Sequence, residues 1–189
     1  MCAIERWPEI GTDRLMLRAP VIADAPLVAE LANDPVIARN TSRLPHPYGL
    51  ADAEAWLGAI ASQDPHRNRS FAVEDRRLGL IGVLGFDERR PRQTEVGYWF
   101  GRPFWGNGFA TEALRSFTAR AQTLGDLQAG HFVDNPASGR VLEKGGFAYT
   151  GETPRLFSLA RGESVRCKRM TFAPDLRRAI SERASAVLH

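Results

Sequence analysis

One stretch, residues 95–125, changes its hydrophobic period halfway along and constrains the fold more than any other part of the chain. Residues 96–100 are aromatic or β-branched apart from one glycine, and a glycine and a proline follow within three residues, which predicts a strand that ends there. From Phe109 onward, small and apolar residues recur at helical spacing until Gly125, where a helix C-cap is expected. The stretch therefore predicts a strand, a glycine loop and a helix, in that order.

The loop between this strand and this helix has the composition of an anion site. Gly106 and Gly108 lie immediately before the helix, where backbone N–H groups have no intrahelical partners and no side chains cover them. The positive end of the helix dipole adds to these donors. The sequence therefore predicts a site for a phosphate group.

Two common nucleotide loops do not match this stretch. Gly101 and Gly106 have the spacing of a Walker loop, but Asn107 and Gly108 follow where that loop needs Lys and then Ser or Thr. A dinucleotide-binding fingerprint needs a small third residue where Thr111 stands, and no second βαβ half accompanies the unit. ATP and NAD are both disfavoured as ligands.

Two ordered motifs resemble a known family. Residues 105–113, Trp-Gly-Asn-Gly-Phe-Ala-Thr-Glu-Ala, resemble the acyl-CoA pyrophosphate loop of the GNAT superfamily, in particular its RimJ/RimL-like branch, although Trp105 departs from the usual Arg or Gln and Pro103 comes one residue late. Residues 135–147, from an Asn N-cap through Ser and Glu-Lys to Gly-Gly-Phe, resemble the second GNAT motif. Residues 12–18 are also similar to the opening strand of that branch, so the resemblance extends over nearly the whole chain.

The resemblance implies an α/β (α+β) GNAT fold: a central mixed, mostly antiparallel twisted sheet of six to seven strands, flanked by helices, with a splay between the fourth and fifth strands. We expect one domain, 1–189, with a core of about 12–172 and a helical tail at about 174–189. Local patterns predict strands at 14–18, 70–74, 78–86, 96–100 and 127–133, helices at 23–31, 51–60, 109–124 and 136–144, a loop at 39–49 and a polar turn at 87–93.

For function, the resemblance implies transfer of an acetyl group from acetyl-CoA, as co-substrate, to a primary amine by direct attack in a ternary complex. The acceptor is then a protein N-terminal α-amine or a small-molecule amine. The expected cofactor-binding residues are Tyr98, Trp99, Phe100, Trp105, Gly106, Asn107, Gly108, Phe109, Ala110, Thr111, Asn135, Ser138 and Lys144.

The two catalytic candidates are Glu95 and Ser138. Glu95 begins the central strand, where relatives place a base, but an exposed carboxylate at a strand end is also ordinary. Leu142 occupies the position at which many relatives carry a tyrosine acid, so Ser138 is the candidate proton donor for the thiolate. A serine in a first helical turn also commonly bonds only to backbone groups.

The acceptor wall is expected from residues 40–50 and 150–162. These segments carry more basic than acidic side chains, which favours an acceptor with a carboxylate, or an acidic peptide, over a polyamine. The missing tyrosine leaves an alternative open, a non-catalytic acyl-CoA-binding regulatory module. A basic segment from Arg161 onward raises a third possibility, nucleic-acid binding, but it has no interleaved aromatic residues, and we expect no nucleic-acid partner.

The remaining composition narrows the setting. With Cys2 and Cys167 as the two cysteines and no disulfide framework, a reducing cytoplasm is expected. No apolar run of 18 residues predicts a membrane span, and the first fifteen residues contain no signal-like apolar segment. The histidines have no metal-ligand spacing, so no metal is expected. The oligomeric state, monomer or homodimer, stays open.

Overall fold

The computed structural model describes residues 7–173, and the helical tail predicted at 174–189 lies outside this part. Within it the chain forms five α-helices and nine strands. The helices are α1 Ala25–Ala32, α2 Pro35–Arg39, α3 Leu50–Ala61, α4 Phe109–Thr118 and α5 Pro136–Lys144. The strands are β1 Ile10–Gly11, β2 Leu15–Arg18, β3 Asn68–Asp75, β4 Gly79–Arg90, β5 Gln93–Phe100, β6 Asp126–Phe132, β7 Phe147–Tyr149, β8 Arg155–Ser158 and β9 Glu163–Phe172.

The strands form one open mixed sheet. Eight of them follow the order β1-β2-β3-β4-β5-β6-β9-β7, and β8 pairs with β9 off this path. Every pair is antiparallel except β5 with β6. The expected mixed, mostly antiparallel sheet is confirmed, with more strands than the predicted six to seven. Of the strands outside the local predictions, β1, β7 and β8 have two to four residues each, too few to show an alternating pattern, and the ten residues of β9 are mostly polar.

Helices cover both faces of the sheet, and each face has its own apolar cluster. The larger cluster packs α4 and α5 against the central strands, with Phe71, Phe117 and Phe147 fully buried. The smaller cluster packs α1 and α3 on the opposite face. Leu114 and Phe117 of α4 belong to the first cluster, so the apolar stripe read from the sequence is the buried face of that helix.

The two parallel strands separate after a short paired segment. Strand β5 pairs with β6 over Gln93–Asp126, Thr94–Leu127 and Glu95–Gln128, and the pairing stops there although both strands continue. Beyond this point β6 is still paired with β9 and β5 with β4. This confirms the predicted splay, since β5 and β6 are the strands expected as the fourth and fifth.

Some predicted boundaries are wrong. The helix expected to run to residue 124 ends at Thr118 and is followed by a 3₁₀ turn, Ala121–Leu124. Both conformations keep the small and apolar residues on the buried side, so periodicity could not separate them. The polar turn predicted at 87–93 is mostly strand, because β4 and β5 extend to the exposed end of their hairpin and leave Pro91 and Arg92 as the turn.

Helix α2 was not predicted. Asp34 caps it by accepting hydrogen bonds from the N–H groups of Val36 and Ile37, and Pro35 takes its first position.

Among the helices of residues 7–173, none has the length and hydropathy needed to cross a membrane.

Candidate active site

The loop before α4 presents a row of backbone donors. Gly106 and Gly108 adopt positive φ angles of +79° and +80°, a conformation that glycine takes without strain. Within the described residues, the N–H groups of residues 106–111 have no hydrogen-bond acceptor. A Cβ at Gly106 would meet no atom within 4 Å, so the space in front of this loop is open. The loop and the α4 N-terminus therefore form an anion site of the size of a phosphate group.

Side chains from outside the loop hold it in place. Arg14 lies immediately before β2. Its Nε donates to Glu112 Oε2 at 2.7 Å, and its Nη1 donates to the carbonyl of Asn107 at 3.1 Å. Thr12 Oγ1 also donates to Glu112, at 2.6 Å. Desolvation raises the pKa of the Glu112 carboxyl, but the hydrogen bonds from Thr12 and Arg14 outweigh it and leave that pKa below its ordinary value. Sequence reasoning missed Arg14, because its contacts are some ninety residues away along the chain.

A cleft of about 330 Å³ opens beside this loop. Its walls are the end of β5, the loop, the start of α4 and one side of α5. The cleft brings together the predicted cofactor residues except Asn107, whose side chain turns back to the carbonyls of Phe104 and Trp105. The lining residues that were not predicted are Ile37, Asn40, Thr41, Phe104, Ala137, Arg140 and Val141.

The free edge of β5 faces this cleft. The N–H of Gly101 donates to Ile81 of β4 at 2.9 Å, and alternate residues of a strand direct their N–H groups to opposite sides. Tyr98 and Phe100 therefore direct their N–H groups toward the gap left by β6. The carbonyl of Phe100 on that edge already accepts a hydrogen bond from Trp105 Nε1 at 2.7 Å. The backbone of Tyr98 is thus available to a bound molecule.

Ser138 lies where the gap meets α5. Asn135 caps this helix, accepting from the Ser138 N–H at 3.2 Å. The Ser138 hydroxyl is 2.9 Å from the hydroxyl of Tyr98, which also donates to the Ser138 carbonyl at 3.2 Å. Burial raises the pKa of the Tyr98 phenol more than the hydrogen bond with Ser138 lowers it, so the phenol stays protonated. The Tyr98 side chain was not predicted to have this role.

Glu95 lies at the point where β5 and β6 part. Its two carboxylate oxygens are bound by the guanidinium of Arg169 on β9, one of them at 2.8 Å from Arg169 Nη1. Gln128, the β6 residue paired with Glu95, also lies beside this guanidinium. The side chains of Glu95 and Arg169 are 24% and 15% exposed, so the pair is shielded but open to one side.

A second, larger groove of about 840 Å³ lies along β5 from Glu95 to Trp99. Glu95 and Arg169 line it, and it adjoins the first cleft through a set of residues common to both. The shared residues are Asn40, Thr41, Tyr98, Trp99 and Ser138. The two cavities therefore meet at the Tyr98–Ser138 pair, with Glu95 on the groove side.

The two segments expected to build the acceptor wall do line this groove, through Arg43 and Leu44 on one side and Leu156 and Phe157 on the other. Their arginines, however, are engaged within the protein. Arg43 pairs with Asp87, Arg155 donates to the Ser164 carbonyl, and Arg161 holds Asp134 with both terminal nitrogens. These contacts remove the main reason for expecting an acidic acceptor.

His131 is buried in β6, with Nε2 3.1 Å from the Tyr149 hydroxyl and Nδ1 2.8 Å from the Phe132 carbonyl. Lys144 lines the cleft at the end of α5. In residues 7–173, no group of three or more His, Cys, Asp or Glu side chains is placed to hold a metal ion.

An N–H-lined loop for phosphate, a gap between parallel strands and an adjoining groove with a carboxylate are the features expected of an acyl-CoA-dependent transferase. Comparison with known proteins agrees with this class. The acetyltransferase (GNAT) domain family matches residues 14–148. The uncharacterized N-acetyltransferase YoaA of Bacillus subtilis (strain 168) is 32% identical over 158 residues, which cover 77% of this chain and 85% of YoaA.

Solved structures share the fold at low sequence identity. RimL, a ribosomal L7/L12 α-N-protein acetyltransferase in complex with coenzyme A, superposes with a TM-score of 0.77 at 16% identity, over 88% of this chain and 99% of RimL. The microcin C7 self-immunity acetyltransferase MccE, in complex with acetyl-CoA and AMP, gives 0.74 at 17% identity, over 85% of this chain and 92% of MccE.

The chain belongs to the GNAT acetyltransferase family. It is an acetyl-CoA-dependent N-acetyltransferase, whose reaction moves an acetyl group from acetyl-CoA to an amine.

Proposed function

We propose that this chain acetylates a primary amine by direct attack within a ternary complex, with Ser138 and Glu95 as the catalytic residues. The observation that carries this proposal is the junction of the two cavities. The loop before α4, with Gly106 and Gly108, is called the phosphate loop below. The cleft beside it and the groove beside Glu95 meet at Ser138 and Tyr98. A thioester in the cleft and an amine in the groove would therefore come together there.

The residues of the first cleft suit acetyl-CoA. The free N–H groups of residues 106–111 would hold the pyrophosphate, and the open edge of β5 at Tyr98 would bond to the pantetheine arm. Asn135 and Lys144 line the same cleft. Acetyl-CoA supplies an activated acetyl group as its thioester, and the remaining chemistry falls to the side chains and backbone of this chain.

The reaction needs a donor where negative charge develops on the thioester oxygen, and we assign it to the N–H of Tyr98. This group is fixed in β5, directed into the gap and free of a strand partner. A fixed backbone donor costs no reorganisation when the charge appears. As the new C–N bond forms and the C–S bond breaks, the sulfur leaves with the electron pair and needs a proton.

Ser138 is the proposed donor of that proton. Its hydroxyl lies at the junction of the cavities, at the start of a helix whose dipole also favours a developing thiolate. Tyr98 supports it, since its hydroxyl can donate a hydrogen bond to Ser138 Oγ while the Ser138 proton goes to sulfur. Ser138 then regains a proton from the second N–H that the acceptor nitrogen loses as the amide forms. Many relatives carry a tyrosine at the position of Leu142. In this chain the phenol of Tyr98, on β5, takes the place of that tyrosine.

Glu95 is the proposed base. The acceptor arrives as an ammonium group, which must lose a proton before nitrogen can attack. Arg169 occupies one position on each carboxylate oxygen of Glu95, and a carboxylate oxygen has a second lone pair that can still accept a proton. The ion pair therefore orients Glu95 toward the groove and does not block it. The proton passes to Glu95 directly or through one water molecule.

We further propose that the chain belongs to the RimJ/RimL-like branch, acts as a single domain, and works in the cytoplasm on a protein N-terminal α-amine or a small-molecule amine. RimL itself acts on a ribosomal protein, which supports the first kind of acceptor. The groove is wide enough for either, at about 840 Å³.

The alternative, a non-catalytic acyl-CoA-binding module, is favoured by Leu142 at the tyrosine position. The Ser138–Tyr98 pair and the oriented Glu95 oppose it. To separate the two, CoA release is measured for the wild type, Ser138→Ala and Glu95→Gln with a mixture of amines. Amine-dependent release that falls in both variants, with acetyl-CoA affinity retained, supports catalysis. Binding without release in the wild type would establish the alternative.

A further inference from the structure

Two of the three acidic side chains in the groove next to Glu95 are in ion pairs, and arginines outnumber acidic residues along its lining. Three acidic side chains line it, Asp52, Asp87 and Glu95. Asp52 accepts from the Gly49 N–H at 2.8 Å, Asp87 pairs with Arg43 and Arg89, and Glu95 pairs with Arg169. A second cationic centre on the acceptor would therefore find no carboxylate without an existing partner in this groove. One ammonium group, next to Glu95, is the positive charge that the groove accommodates.

Apolar side chains line two parts of the groove. Trp56 and Ile60 of α3 and Leu44 of the preceding loop line one side, and Leu156 and Phe157 of β8 line the other. Phe157 remains 55% exposed and Leu156 36% exposed. Large apolar side chains left exposed along a ligand groove are covered when a ligand binds, and that burial favours binding.

The floor of the groove is bare backbone at Gly97. This residue lies between Glu95 and Trp99 on one face of β5, and a Cβ built on it would meet no atom within 4 Å. The other two glycines of the groove, Gly85 and Gly130, have no such space, since a Cβ there would come within 2.8 and 2.7 Å of neighbouring atoms. A flat or branched apolar group thus has room beside the base.

From these three observations we infer that the acceptor is a monoamine whose nitrogen is carried close to an aromatic or branched aliphatic group. This inference rests on the proposed function, because it assigns the groove to the acceptor. Two sources present this chemistry, a small arylalkylamine and a peptide whose first residue is hydrophobic. Both place one ammonium group at Glu95 and an apolar group over Gly97, between Trp56 and Phe157.

The test compares acetylation of 2-phenylethylamine, a peptide beginning with Phe, spermidine and a peptide beginning with Asp-Glu. We expect kcat/KM for 2-phenylethylamine and for the Phe peptide to exceed that for spermidine and for the acidic peptide by about 10-fold or more. The larger of the first two values shows whether the acceptor is a small amine or a peptide. Equal or higher kcat/KM for spermidine or for the acidic peptide would overturn the inference and leave the proposed function intact.

Phe157→Ala tests the wall. It should raise KM for 2-phenylethylamine about 10-fold with kcat nearly unchanged, since one large apolar contact is lost. Leu159→Ala is the matched control, because Leu159 is 53% exposed in the adjoining turn and does not line the groove. Equal effects of both substitutions, or none from Phe157→Ala, would contradict the inference.

Gly97→Val tests the open floor of the groove. A direct binding measurement separates the proposed function from the proposed acceptor class. Valine at Gly97 should raise KM for every acceptor and leave the acetyl-CoA dissociation constant unchanged, because Gly97 lines the groove and not the first cleft. Calorimetric titration of the CoA-bound protein with 2-phenylethylamine should show binding that Phe157→Ala weakens. Such binding without acetylation of any amine would refute the proposed function and support the acceptor class, whereas absent binding would refute the acceptor class.

Discussion

At the scale of single residues, the Ser138 hydroxyl has a partner that the motif does not contain. Tyr98 comes from β5 and Ser138 from α5, and their hydroxyls are 2.9 Å apart. The carbonyl of Ser138 also accepts from Tyr98. The two side chains are therefore coupled, and we propose that Tyr98 stabilises Ser138 by a hydrogen bond while Ser138 gives a proton to the thiolate.

Substitution of this pair should slow the chemical step and spare binding. We expect Ser138→Ala to lower kcat about 100-fold and Tyr98→Phe about 10-fold, with the acetyl-CoA dissociation constant within a factor of two or so of the wild type. Tyr149→Phe is the matched control, because its phenol bonds to His131 and not to Ser138. In the double variant the effect of Tyr98→Phe should disappear, and additive losses would show that Tyr98 does not act through Ser138.

Glu95→Gln should lower kcat about 100-fold at neutral pH, because glutamine cannot accept the ammonium proton. The amide still bonds to Arg169 through its oxygen, so the strand end keeps its position. Glu152→Gln, at an exposed acid of the neighbouring segment, serves as the control. The quantities to measure are kcat over a range of pH and the acetyl-CoA dissociation constant. A kcat profile identical to that of the wild type would remove Glu95 from the mechanism.

At the scale of elements, the phosphate loop depends on backbone conformation more than on side chains. Gly106→Ala forces a Cβ onto a residue with φ of +79°, which costs about 1 kcal/mol and turns the neighbouring N–H groups. We expect the acetyl-CoA dissociation constant, measured calorimetrically, to rise about 10-fold. Gly151 has a φ of +87° and equally open surroundings, so Gly151→Ala matches the strain without touching the loop. Equal acetyl-CoA affinity in both variants would refute the role of the loop.

Elements with a strong local signal could be predicted from the sequence, and short or long-range ones could not. The strand, loop and α4 unit and the Asn135 cap of α5 were predicted because period, glycines and caps are local properties. The strands β1, β7 and β8 have two to four residues each, which is too few to show a pattern of their own. Arg14 and the role of the Tyr98 hydroxyl were missed because both depend on contacts between residues far apart in the sequence.

At the scale of the whole molecule, the Arg18–Asp24 pair joins the sheet to the start of α1. Asp24 is 6% exposed and accepts from Arg18 Nη1 and Nη2 at 2.8 Å each, and from the Val21 N–H at 2.9 Å. Desolvation raises the pKa of the Asp24 carboxyl, but these hydrogen bonds outweigh it and leave the pKa below its ordinary value. A lowered folded-state pKa stabilises the fold at neutral pH, and this contribution is lost as pH falls through that pKa.

Asp24→Asn should therefore lower the free energy of unfolding at pH 7 by about 2 kcal/mol, which corresponds to a Tm lower by about 4–8 °C. The difference from the wild type should shrink as pH falls below about 4, near the ordinary aspartate pKa. Calorimetric Tm measurements from pH 3 to 7 check this, with Glu54→Gln, an exposed acid of α3, as the control. A difference in Tm that does not change with pH would contradict the assignment to this ion pair.

The arrangement of the two cavities about β5 is the part of the site that sequence reasoning located least well. The motifs predicted most of the lining of the first cleft, because it follows the chain from 98 to 111 and from 135 to 144, but not Ile37, Asn40 and Thr41. The acceptor side combines α3, the loop after α2, β5, β8 and β9. Arg43, Arg155 and Arg161 were expected to face a substrate, and their contacts with Asp87, the Ser164 carbonyl and Asp134 depend on the tertiary structure.

The account as a whole is tested most directly by amine-dependent release of CoA from the purified protein. The protein is mixed with acetyl-CoA and the amine panel, thiol release is followed with time, and the acetylated amine is quantified by mass spectrometry. The account predicts one acetylated amine for each CoA released, with Ser138→Ala binding acetyl-CoA as the wild type does and releasing CoA about 100-fold more slowly. Tight acetyl-CoA binding with no release above the amine-free rate would contradict it.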